Sequence, residues 1–126
     1  MVGLMSTTRI YAYCAAIDMR KGYDGLAALV RQEMGQEPLS GALFLFTNRR
    51  RTHAKILWFD GSGMCIYAKR LEKGQFAPLW KYTADKRMSL TRSELHLFLE
   101  GSQLVGKYQV SPGDLPAQAL APRMLL

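Results

Sequence analysis

The sequence predicts an α+β domain: an antiparallel β-meander of three or more strands, packed with an N-terminal amphipathic helix and a second helix near the C-terminus. Three observations carry this. Tyr23, Leu26, Ala27, Val30 and Met34 recur at spacings of three and four, which places them on one helical face. Between residues 42 and 71, three short apolar runs are separated by turn-forming residues. Thr91-x-x-Glu94 has the form of a capping box ahead of Leu95, Phe98 and Leu99.

In chain order, Thr8–Tyr13 has a strand-forming composition with rough alternation, and Asp18–Gly22 is a turn. In the helix that follows, Asp24 complements the positive end of the dipole, and Gly35 suits a C-terminal cap. Pro38-Leu39-Ser40-Gly41 is a turn. Ala42–Thr47 reads as a buried strand that ends at the polar Asn48-Arg49-Arg50-Arg51. Ala54–Asp60 is the next strand, Asp60-Gly61-Ser62-Gly63 a hairpin turn, and Met64–Leu71 the third strand. Ile56 and Trp58 fall on one face of this meander, Leu57 and Phe59 on the other. A sheet apolar on both faces needs two covers. The first helix supplies one; the C-terminal elements or a second subunit supply the other. Residues 76–87 show no decisive period. Residues 103–126, with Pro112, Pro116 and Pro122, read as an irregular tail beyond a single domain of residues 1–102.

Composition narrows the class. The 126 residues suit one domain, and a hydrophobic content of 48% with 21% charged residues argues for a packed core rather than disorder. No run approaches the roughly 18 apolar residues of a membrane span. The start lacks a charged segment followed by a long apolar one, so the expectation is a cytoplasmic, nucleoid-associated protein with no membrane partner. Cys14 and Cys65 have no paired spacing and read as small apolar residues.

The net charge of +7 is concentrated. Residues 48–87 hold ten basic side chains against Asp60, Glu72 and Asp85, while the flanking segments balance. A field of one sign points to an anionic partner. The meander makes this geometric. Arg49, Arg50 and Arg51 lie at the turn between its first two strands, Lys55 starts the second, and Lys69, Arg70 and Lys73 close the third. All seven are expected at one end of the sheet, where they would bind a nucleic-acid backbone through phosphate contacts and counterion release. No recognition-helix, zinc-finger or RNA-recognition signature accompanies them, so backbone contact is favoured over base reading.

Catalytic chemistry is not expected. Asp18, Asp60 and Glu94 could form a metal-binding carboxylate set only if they converged, and two are turn residues while the third belongs to the capping box. His53 and His96 with the two cysteines match no zinc spacing, and no phosphate loop occurs. No catalytic residue, metal or cofactor is assigned.

Several segments together resemble a known family. Asp18-Met-Arg-Lys-Gly-Tyr-Asp-Gly-Leu-Ala-Ala-Leu-Val30 is similar to the signature of the small TnpB accessory proteins of IS-66-type insertion sequences. So are Pro38-Leu-Ser-Gly41 with Leu43–Phe46, Lys55-Ile-Leu-Trp-Phe-Asp60, Lys69-Arg-Leu-Glu-Lys-Gly74 with Phe76, and Leu99-Glu-Gly101. The likeness runs over about residues 8–102. It implies a bacterial mobile element that encodes this chain beside a larger transposase, which carries the catalytic carboxylates, and a non-catalytic accessory role in transposition and DNA recombination. Asn48-Arg-Arg-Arg51-Thr52 departs from the family's more usual arginine-and-glycine turn. Two readings stand: DNA binding, at element ends or target DNA, and a protein adaptor that docks on the partner transposase or folds as a homodimer.

Overall fold

The computed structural model describes residues 7–101. The elements are β1 (Ile10–Ile17), α1 (Tyr23–Gln32), β2 (Leu43–Asn48), β3 (His53–Phe59), β4 (Met64–Arg70), β5 (Arg87–Leu90) and α2 (Arg92–Leu99). The class is α+β, as the periodicities require. The sheet has five strands in the order β4-β3-β2-β1-β5.

Two details of the expected architecture need correction. The sheet is mixed rather than an antiparallel meander throughout. β2, β3 and β4 are joined antiparallel in succession, but β1 lies parallel to β2, and β5 closes the other side antiparallel to β1. The first helix also does not open the fold: it follows β1 and forms the crossover that a parallel pair requires. Turn residues disclose which strands are local neighbours. They say nothing of where β1 enters the sheet, which is decided by burial. The expected tail, residues 103–126, lies outside the described residues.

Alternation along the strands sends side chains into two cores. On one face, Tyr13, Ile17, Phe44, Phe46 and Leu57 pack under Leu26, Val30 and Met34 of α1. On the other, Ala12, Leu43, Leu45 and Ile56 pack against Phe76, Leu79, Leu95 and Phe98. Residues 76–82 and α2 therefore supply the second cover. Phe76 and Phe98 stack with ring centroids 4.8 Å apart and planes within 8°. α2 begins with a complete capping box: Thr91 Oγ1 accepts from Glu94 N–H, and Glu94 Oε1 accepts from Thr91 N–H.

α1 is closed at its C-terminus by two devices. Gly35 has φ +64°, a left-handed conformation that glycine adopts without a Cβ clash. Arg87 reaches across from β5 and donates to the Met34 carbonyl at 2.6 Å, placing a cation at the negative end of the helix. Its guanidinium also lies over the Tyr11 ring at 5.8 Å. Among the described residues, no helix is long and apolar enough to cross a membrane.

Candidate functional site

The candidate site is the end of the sheet where β2 leaves, β3 enters and β4 leaves. The β3–β4 register pairs His53 with Arg70, Ala54 with Lys69 and Lys55 with Ala68. The turn 49–52 sits beside the start of that ladder. All the cationic residues expected to gather there are thus carried by adjoining segments, but the side chains do not behave alike.

Arg51 and Lys55 are occupied within the molecule. Arg51 has φ +59°, and its guanidinium donates to the Phe76 carbonyl at 3.3 Å and to Gln75 Oε1 at 3.1 Å. Gln75 returns a bond to the Arg50 carbonyl at 3.0 Å, and Phe76 N–H donates to the Arg51 carbonyl at 2.7 Å. The turn is in this way tied to residues 75 and 76. Lys55 Nζ donates to the carbonyls of Met19 and Lys21, at 2.7 and 2.8 Å. It holds the loop between β1 and α1 against the sheet.

The remaining cations face outward or into a shallow groove. Arg49, Arg50 and Lys73 are exposed. Arg70 pairs with Glu72 at 3.0 Å with both side chains mostly in solvent, a contact that contributes little to stability. Strand alternation puts Lys55 and Arg70 on the α1 side of the sheet and Lys69 on the α2 side. The cations therefore wrap one end of the sheet instead of lining one face. An open groove of about 480 Å³ lies there, bordered by Met19, His53, Lys55, Lys69, Arg70 and Glu72.

His53 is a member of this site that the charge pattern missed. Asn48 Oδ1 accepts from Thr52 N–H at 2.9 Å and His53 N–H at 3.0 Å. Asn48 Nδ2 donates to Thr52 Oγ1 at 3.2 Å, and Thr52 Oγ1 lies 2.9 Å from His53 Nδ1, within hydrogen-bond distance. Both ring contacts, with Asn48 Nδ2 and Thr52 Oγ1, fall on Nδ1, and Nε2 has no hydrogen-bond partner among the described residues. The available signal was the spacing of two between His53 and Lys55, which sets them on one strand face.

The loop at residues 18–22 also reaches this end. Asp18 accepts from the Arg20 side chain at 2.6 Å and from its N–H at 2.8 Å. The Arg20 guanidinium and N–H hold the Asp18 carboxyl down at about 2. Asp60 lies at the far end of β3, where the N–H groups of Ser62 and Gly63 and the Ser62 hydroxyl hold its carboxyl down to about 2. Glu94 is engaged in the capping box. The three carboxylates that would have had to converge for metal chemistry are thus held at separate places.

The chain matches a family model described as "IS66 Orf2 like protein" over residues 8–108. It is 32% identical over 93 residues to a protein of Sinorhizobium fredii (strain NBRC 101917 / NGR234) named "Uncharacterized protein y4hO", covering 74% of this chain and 79% of that one. A second protein of the same organism, "Uncharacterized protein y4jC", is 31% identical over 101 residues, with coverages of 80% and 85%. No solved structure matches.

Proposed function

Because this chain belongs to the IS66 Orf2-like family, we propose that it is a non-catalytic accessory of insertion-sequence transposition that grips the DNA backbone through the basic end of its sheet. The carrying observation is the β3–β4 register, which sets Lys69 and Arg70 beside the Arg49–Arg51 turn. Arg49, Arg50, Lys69, Arg70 and Lys73 are the phosphate-binding residues in this reading, and His53 borders the same groove. Arg51 and Lys55 act one step back: they hold the turn and the 18–22 loop that shape the surface. Strand transfer itself falls to the partner transposase, on whose element ends or target DNA this chain would sit.

The test is binding to duplex DNA by fluorescence anisotropy over a range of salt. Five phosphate contacts give a slope of log affinity on log salt of about −4.5. Arg49→Ala or Lys69→Ala should each make that slope shallower by roughly 0.9 and weaken binding to all sequences alike. Binding that ignores salt, or none at low salt, overturns the reading.

The inward turn of Arg51 and Lys55 trims the cationic surface and supports a second reading, an adaptor that docks on the transposase without touching DNA. Co-purification with the transposase after nuclease treatment, in a protein that shifts no DNA, selects that one. Against it, Tyr23 and Leu39 are the large apolar side chains exposed among the described residues, which leaves little apolar surface for docking.

A further inference from the structure

We propose that the open edge of β4 pairs with β4 of a second copy of this chain, antiparallel and centred on Tyr67, to form a two-fold dimer with one continuous sheet. β4 is a terminal strand of seven residues, whereas the opposite edge, β5, has four. Leu71 N–H donates to the Thr52 carbonyl, and Asp60 N–H to the Gly63 carbonyl. Backbone groups alternate in an antiparallel ladder, so the odd-numbered residues of β4 face β3. Met64, Ile66, Ala68 and Arg70 direct both their N–H and C=O groups away from the sheet, and no described residue meets them.

Such a row is a template for another strand unless something blunts it. β4 pairs with β3 at seven successive positions without a bulge, contains no proline and carries no charge from Met64 to Ala68. Met64, Ile66 and Tyr67 are half-buried and pack against the two cores.

The strand is complementary to itself. Antiparallel pairing about Tyr67 sets Met64 opposite Arg70 and Ile66 opposite Ala68, so every outward residue meets an outward residue, with about eight backbone bonds in all. No like charges stand opposite. The strand is cationic where it ends, at Lys69, Arg70 and Lys73, and the hairpin where it begins carries the exposed carboxylate of Asp60. The two-fold lays the cationic end of each copy along the Asp60 hairpin of the other. A two-fold axis makes this contact twice and closes the assembly at two copies. The dimer does not rest on the DNA reading. Joined to that reading, it carries two basic ends pointing in opposite directions, and so can hold two separate duplex segments.

Multi-angle light scattering on the full chain should give a dimer mass at high micromolar concentration. Ala68→Pro removes an N–H that the monomer does not use, at an edge position where proline is tolerated. It should give a folded monomer, with an unchanged far-ultraviolet circular dichroism spectrum. Tyr67→Cys in a Cys65→Ser background should cross-link under oxidation, because a non-hydrogen-bonded pair brings Cα atoms to about 4.5 Å. The Cys65→Ser protein alone should not. A native chain that stays monomeric, or a folded Ala68→Pro protein that stays dimeric, overturns the proposal. So does a Tyr67→Cys protein that cross-links no better than its background, and this last measurement decides even if Ala68→Pro fails to fold.

Discussion

Lys55 and Lys69 carry the same charge at the same end of one sheet, yet their surroundings give them different tasks. The Lys55 ammonium closes on two carbonyls of the 18–22 loop. Removing it leaves those carbonyls without their charged donor, so Lys55→Ala should cost about 1–3 kcal/mol in urea denaturation. Lys69→Ala should stay within about 0.5 kcal/mol, as surface substitutions do. Equal losses would mean that the Lys55 contacts contribute nothing. Thr47 presents the opposite case. Its side chain is fully buried on β2, between Ala16 of β1 and Ala54 of β3, and its hydroxyl meets no partner among the described residues. Valine has the same branched shape and suits a strand, so Thr47→Val should stabilise the fold by roughly 1 kcal/mol. A lower denaturation midpoint in the variant would point to a partner for the hydroxyl.

At the scale of the element, the turn between β2 and β3 shows how one residue can be strained and useful together. The left-handed conformation of Arg51 costs on the order of 1 kcal/mol for a residue with a Cβ. Its guanidinium bonds to Gln75 and Phe76 offset that cost. Arg51→Gly gives up the bonds but relieves the conformation, so a net change below about 1 kcal/mol is expected. Arg51→Val loses the bonds and adds the crowding of a branched Cβ, and should cost about 2 kcal/mol or more. Thermal unfolding of the two variants side by side checks the order. The reverse ranking would show that the turn changes conformation with its sequence. An arginine here occupies a conformation that favours glycine.

At the scale of the whole molecule, the sheet survives only because both faces are covered. The cover opposite α1 is built from short pieces, residues 76–82 and α2, joined through the Phe76–Phe98 stack. Phe98→Ala should therefore cost about 3–5 kcal/mol, read as a shift in the urea midpoint, and should loosen α2. A loss below 1 kcal/mol would mean that the second cover is dispensable.

Much of this was legible in the residues, and the remainder was not for a common reason. The helical period of Tyr23–Met34, the alternation of Ile56, Leu57 and Trp58, the Asp60 hairpin and the Thr91–Glu94 box are local signals, each complete within a few residues. They determined the elements, the faces those elements bury and the segment that holds the surplus charge. The parallel entry of β1, the short β5 and the standing of each cation depend on contacts between residues far apart in the chain. Lys55 meets Met19 across 36 positions, and Arg51 meets Phe76 across 25. Only closure of the tertiary structure brings such groups within bonding distance, and so only that closure decided which charges are held inside and which are left at the surface.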